Sequence, residues 1–332
     1  MTNTNVVTAP KHSSVKRSLP ALGLFFLSPL VAEFLLGNIP ISALFALLGL
    51  APLYGGGAVL IRELVRRRGW GYPSVVLLAL AYGVLEEGVT TQSLFNPNYV
   101  DQHLLSPGHI GFLGMGAPWT VFVLGLHTIW SITVPIVLVE SMSRRPREPW
   151  LGKIGLSVYG ALFVVGIIAT TAIQLGMDSF VASPAQFAGV AVAIVALVFL
   201  AARVGRRARP RTPGTVPPVW VLAVAGLVVS SGWMVTSDAV KNGWLGAALM
   251  LAIEIAAAVV LVHFSRRTSW TQKRTLAVAG GAMLTYAWHA FPEKPVFDAP
   301  HSTDLIGNAV FALLAVALLI SATIRRDKFG DS

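Results

Sequence analysis

The sequence predicts an all-α fold: a polytopic transmembrane helix bundle of about ten spans, with its N- and C-termini cytoplasmic. Three observations predict it. The 332 residues are 55% hydrophobic and only 12% charged, with a mean hydropathy of +0.69. A soluble domain carries roughly 25% charged residues, so half that density calls for a solvent that tolerates apolar surface. The apolar residues gather into segments near the roughly 20 residues that a bilayer crossing needs. The basic residues sit in short clusters between those segments, on alternate sides.

In chain order, residues 1–20 are polar and carry Lys11, Lys16 and Arg17. They read as an uncleaved cytoplasmic tail, because the apolar stretch that follows runs through Pro29 and Glu33 into another span. A signal peptide would end at a small-residue cleavage site instead. The apolar segments are 21–37, 40–61, 73–92, 118–140, 153–174, 185–203, 218–236, 244–264, 275–291 and 305–324. Each is taken as a helix, since unpaired backbone groups are not tolerated in lipid. Residues 21–325 form one transmembrane domain, with a Pro/Arg-rich cytoplasmic linker at 203–218 between six spans and four. Residues 326–332 are a second cytoplasmic tail. No sequence repeat crosses the linker, so inverted repeats of the transporter kind are unsupported.

Charge tests the count. With the N-terminus inside, 23 of the 25 Lys and Arg residues fall on the cytoplasmic side. Only Lys241 and Lys294 lie opposite. A wrong span count would scramble that asymmetry. The net charge of +10 is therefore a topology signal with anionic lipid headgroups as its partner. Its distribution argues against nucleic acid. The expected location is the cell membrane, as a multi-pass protein. Cysteine is absent, which excludes disulfides and thiolate metal sites.

An ionisable side chain costs at least about 2.5–3.5 kcal/mol at mid-bilayer, so it usually faces the bundle interior. Glu33, Glu86, Glu87, His127, Glu254 and His289 lie within spans. Counting about 1.5 Å per residue from each predicted end, all but the slightly deeper Glu254 share one layer in the outer half. Glu63, Glu140 and His263 lie at cytoplasmic helix ends and read as anchors that reach water or nearby arginines. Glu86 and Glu87 point about 100° apart on a helix, so one can face a site while the other pairs with a neighbouring helix. Two close carboxylates suit general acid–base work, metal binding or a proton relay.

His127, with Ser131 one turn on and Pro135 beyond it, is a catalytic or metal-ligand candidate. His289, just before Phe291-Pro292, is a second ligand candidate or a helix-end cap. The chemistry would admit a divalent metal such as zinc. Glu33, Asn96 and Asn98 are substrate-binding candidates: the stretch from Ser93 to Tyr99 closes the third span, and its amides could meet a substrate at the mouth of the site. Asp101, His103 and His109 in the same loop read more simply as solvated.

Tyr82-Gly83-Val84-Leu85-Glu86-Glu87, followed by a helix bearing His127, resembles the CAAX-protease and bacteriocin-processing (abortive-infection) family of intramembrane proteases. There a Glu-Glu pair opens the first motif, and histidines on later helices complete a site that activates water for peptide cleavage. The resemblance covers about 60 residues and departs from the family pattern in several places. The arginine of the first motif is replaced by Thr91 or Gln92, depending on register. Phe122 stands five residues before His127, not four. The final His-x-x-x-Asn/Asp has only Ser131 after His127 and Glu293 after His289. What it implies is an intramembrane glutamate/histidine hydrolase acting on a peptide, with a lipid-phase substrate as the neighbouring possibility.

Three other readings stay open on the residues alone. One is a proton-coupled transporter or permease, gated at breaks such as Pro29, Pro135 or Gly55-Gly56-Gly57. Another is an enzyme acting on a lipid or isoprenoid. The last is a non-catalytic membrane or immunity-type protein whose glutamates join helices.

Overall fold

The computed structural model describes residues 14–207 and 210–330, with side chains from residue 18 onward. Residues 1–13 of the N-terminal tail (with Lys11), Ala208 and Arg209 of the linker, and 331–332 lie outside the described residues. Among the described residues, ten helical rods follow the ten apolar segments. The first is α1 (Ser14–Pro29), continued by a π-helical turn at Leu30–Phe34. Next come α2 (Ala46–Arg67) and α3 (Tyr72–Leu85), the latter continued by a π turn at Glu86–Thr90. The fourth rod is α4 (Ala117–Leu126), a π turn at His127–Thr133 and α5 (Val134–Met142). Then follow α6 (Lys153–Met177), α7 (Pro184–Arg206), α8 (Val219–Ala239), α9 (Gly243–Ser265), α10 (Gln272–His289) and α11 (His301–Phe329). A two-residue hairpin, β1 (His109–Ile110) with β2 (Met115–Gly116), sits in the loop between the third and fourth rods.

Among the described residues, eight rods are long and apolar enough to cross a bilayer. The other two are α1, whose apolar part is the shorter Ser18–Phe34, and α10. Both are shielded by neighbours, so lipid solvation does not set their composition. Small residues let α10 approach α8 closely: a Cβ added at Gly226 would lie 2.5 Å from the Val278 carbonyl.

The loop contacts sort into two ends. At one end, α2 and the loop after it meet the loop between α5 and α6, Tyr72 meets Gln272, residues 212–217 meet 266–274, and Lys273 meets Asp327. At the other end, Asn96 meets Asp178, Gln92 meets Ala182, Asn38 meets Val296 and Asp238 meets His289. Each contact joins loops that the ten-span reading puts on the same side. The basic loops all lie at the first end. The chain is an integral, multi-pass helical membrane protein.

The interior is unevenly shared. In the most apolar stretches of α2, α3 and the fourth rod 61–67% of residues are buried, against 6% in α6 and 11% in α7. The first three therefore build the centre and the last two present themselves to lipid. Gly55, Gly56 and Gly57 do not break α2, contrary to the gating expectation. They are contact points, with Gly55 against the Phe25 carbonyl and Gly56 and Gly57 against Phe163 and Tyr82.

Candidate functional site

Each of the three π turns carries ionisable residues singled out in the sequence: Glu33, Glu86 with Glu87, and His127. A π turn inserts one extra residue into a helix and frees backbone groups, and such turns concentrate at functional sites. Proline explains the one in the fourth rod. Pro135 has no N–H to offer the carbonyl four residues back, and that carbonyl, of Ser131, instead accepts the Ser28 hydroxyl of α1 at 2.6 Å. Pro29 likewise stands at the junction where α1 turns into its π segment. In α3 the wider turn closes through Thr91 N–H to the Glu86 carbonyl at 2.9 Å.

The close approach of α3 to α4 depends on Gly83, where an added Cβ would lie 3.1 Å from that of His127. Glu87, one turn further along, then reaches the imidazole. Glu87 Oε1 lies 2.7 Å from His127 Nε2. Its Oε2 accepts the Thr91 hydroxyl at 2.9 Å and the Ser93 hydroxyl, and Ser93 Oγ accepts the Trp119 indole N–H at 3.1 Å. His127 Nδ1 is 3.2 Å from Ser131 Oγ and also 3.2 Å from Glu86 Oε2. The Glu86 contact lacks hydrogen-bond geometry, so Glu86 Oε2 and the Tyr82 hydroxyl are buried without hydrogen-bond partners.

Glu86, Glu87 and His127 are 2%, 5% and 6% exposed. Among the described residues they are the one group of three or more His, Asp or Glu side chains whose ligand atoms come together, all within 4.8 Å of one another. Glu33 completes the wall. It is half-buried, and its two oxygens accept Tyr54 OH and Asn38 Nδ2, each at 2.5 Å. The hydroxyls of Tyr54 and Tyr82 both face Glu86. The two rings lie 5.8 and 6.0 Å from the imidazole.

Over the site, the chain from Gln92 to Asp101 holds three non-glycine residues at positive φ: Gln92, Val100 and Asp101. Such backbone costs of order 1–3 kcal/mol per residue and persists where surroundings enforce it. Tyr99 lies in this loop, and burial together with the facing carboxylates of Glu87, Glu33 and Glu86 raises its phenol well above the usual range.

The other sequence candidates separate from this cluster. Asn96 gives its amide N–H to Asp178 at 2.5 Å and accepts the Asn98 backbone N–H, while Asn98 reaches Asp101 at 3.2 Å and is exposed. Both thus brace the loop. His289 is buried but engages Asp238 at 3.0 Å and Glu293 at 3.4 Å, so it does not join His127 as a ligand. The reason is its place at the very end of α10, where its neighbours are α8's last turn and the following loop. Glu254 meets the Trp233 indole at 3.1 Å. Asp101, His103 and His109 form no shared cluster. Tyr54 went unremarked in the sequence, and Thr91 was noted only in place of the motif's arginine; its i, i+4 spacing from Glu87 could have flagged it as a partner.

Of the helix-end anchors expected to reach water or nearby arginines, Glu63 and Glu140 reach arginines. Glu63 and Glu140 are 0% and 1% exposed. Arg62 and Arg66 bind Glu140 at 2.6–3.0 Å, Tyr72 adds a hydroxyl, and Glu63 takes Arg62, Arg67 and the Trp150 N–H. They reach arginine, as expected, but not water.

No curated protein and no solved structure matches the chain. A family model matches residues 22–326, and it is not that of the CAAX-protease family. The resemblance drawn from Glu86-Glu87 and His127 is thereby corrected; those residues recur here without the arginine or the final Asn/Asp of that pattern. The chain belongs to the uncharacterized membrane protein family whose model covers those residues.

Proposed function

We propose that the protein is a hydrolase of the cell membrane that activates water at Glu86, Glu87 and His127 and cleaves an acyl bond of a peptide or lipid-phase substrate. One observation carries the reading: the buried Glu86 carboxylate and the Tyr82 hydroxyl face each other, and neither Glu86 Oε2 nor the Tyr82 oxygen makes a hydrogen bond of good geometry. A buried polar group left unpaired costs about 1–3 kcal/mol. A site retains such a cost where the groups meet a reactant.

Glu87 is held by Thr91, Ser93 and His127 and orients the imidazole. Glu86 then accepts a proton from water as the water oxygen bonds to the acyl carbon. The Tyr82 hydroxyl donates a hydrogen bond to the oxyanion that forms. As the acyl bond breaks, Glu86 returns the proton to the leaving group, so the net reaction adds one water across the bond.

The proton-coupled carrier is the second reading, because Glu33, Tyr54 and Glu86 form a line of titratable groups toward the outer end. Against it, Ile132, Ile136 and Leu138 on the basic side of the cluster are apolar and fully buried. Below them lies the closed Arg62–Glu63–Arg66–Glu140 network.

The test compares lipid and peptide products in membranes containing equal amounts of wild type, Glu86→Gln and Glu254→Gln. Cleaved products present with wild type and Glu254→Gln but absent with Glu86→Gln support the reading. Identical product profiles for all three contradict it.

A further inference from the structure

Most buried carboxylates in this chain are spoken for. Glu33 has a donor on each oxygen, Glu140 is held by two arginines and a tyrosine, and Glu254 takes an indole N–H. Glu86 and Asp304 each keep one oxygen without a hydrogen bond of good geometry, but among the described residues only that of Glu86 lies in a cluster of possible ligands, 3.2 Å from His127 Nδ1 in a residue 2% exposed. Two carboxylates and one imidazole, drawn within 4.8 Å of each other from two helices, have more negative charge than their hydrogen-bond donors neutralise. A cation of charge two would balance it.

We infer that Glu86, Glu87 and His127 bind one divalent transition-metal cation of the Zn²⁺ or Mn²⁺ class. The ligand set favours that class: imidazole and carboxylate suit borderline and hard cations, and the chain has no cysteine thiolate to select a soft one. The surroundings are those a metal ligand has. A ligating histidine normally fixes its other nitrogen through a hydrogen bond, and each nitrogen of His127 has a partner in place: Ser131 Oγ stands 3.2 Å from Nδ1, on the side of Glu86, and Glu87 Oε1 2.7 Å from Nε2. Ligating carboxylates are themselves hydrogen-bonded. Here Thr91 and Ser93 hold Glu87, and Trp119 holds Ser93. Glu33, saturated by Tyr54 and Asn38, stays outside the ligand set.

This inference rests on the reading of the same cluster as a water-activating centre and names its cofactor. When bound, the cation supplies Lewis acidity and lowers the pKa of a bound water. A carboxylate has two oxygens, so Glu86 can bind through one and take the water proton through the other.

The experiment uses full-length protein purified in detergent without chelator, analysed by mass spectrometry for metals. After chelator treatment it is titrated with Co²⁺ and followed by visible absorption. Variants are Glu86→Gln, Glu87→Gln, His127→Gln and, as a carboxylate control, Glu254→Gln, each checked for a single melting transition. About one equivalent of metal in wild type and Glu254→Gln, reduced at least tenfold in the other three, is expected. The Co²⁺ absorption should lose its intensity in His127→Gln.

Wild type that neither retains metal nor gives Co²⁺ absorption overturns the inference, as does equal Co²⁺ binding by wild type and His127→Gln. The outcomes separate the two readings. Hydrolysis that survives full chelation removes the metal and leaves the hydrolase. Stoichiometric metal on a protein without cleaved products does the reverse.

Discussion

Two buried clusters of charge occupy opposite ends of the same helices, and they are built to different rules. At the basic end, Arg62, Glu63, Arg66 and Glu140 form a closed network. Glu140 accepts from both arginines and Tyr72, Arg62 also reaches the Pro146 carbonyl, and its guanidinium stacks 3.4 Å from the centre of the Trp150 ring. It staples α2, the end of α5 and the following loop together. At the other end, Glu86 and Tyr82 keep unpartnered oxygens in an equally dry place. Burial alone therefore does not mark function; here the unsatisfied oxygen belongs to two carboxylates and an imidazole that converge on one point. The first cluster is a fastening and the second is a site.

The sharpest way to break this comparison is to reverse the ends. Because the chain has no cysteine, a single Cys at Asn98 should label fully with an impermeant thiol reagent in intact cells, and one at Arg207 should not. The opposite pattern would put the site on the cytoplasmic face. The next effect is chemical. His127→Gln, which removes the imidazole that Glu87 orients and that stands beside Glu86, should lower product formation at least about tenfold while the protein keeps a single melting transition.

Glu140→Ala should do the converse, leaving the buried Arg66 guanidinium without a carboxylate and Arg62 with Glu63 alone. Loss of about 3–5 kcal/mol is expected for a broken buried pair, seen as a lower denaturation midpoint or loss of the folded protein. Stability close to wild type would mean that this network is not a fastening. The smallest effect concerns the cover of the site. Burial and the nearby carboxylates raise Tyr99, so its phenol should stay neutral as pH passes about 10, where a free tyrosine half-ionises. A difference absorption spectrum between wild type and Tyr99→Phe checks this, and an ordinary titration would show that Tyr99 does not face the carboxylates.

How much of this was legible differs between fold and site. Apolar segments and the one-sided placement of Arg62, Arg144, Arg203, Arg266 and their neighbours led directly to the rods, because lipid constrains length and charge strongly. The depth count placed Glu33, Glu86, Glu87 and His127 in one layer, and the helix geometry brings them together. It placed His289 there too, but depth carries no azimuth, and His289 turned to Asp238 instead. The sequence offers no signal for Tyr54, whose role comes from where α2 passes α1. The π turns were beyond reach for the same reason: Pro29 and Pro135 mark irregularity, while its kind depends on partners such as Ser28. Glu63 and Glu140 found the nearby arginines that their helix-end places offered, but their burial was not legible, because a helix end in sequence is not always a wet end in space.

The most direct test of the central claim is a paired thermal melt and product assay of Glu86→Gln beside wild type. Replacing an unpartnered carboxylate by its neutral isostere should leave stability within about 1 kcal/mol of wild type, as for substitutions that break no satisfied network, while cleaved products disappear. A Glu86→Gln protein that melts as early as Glu140→Ala, or that still forms the products, would contradict the assignment of this cluster as a site.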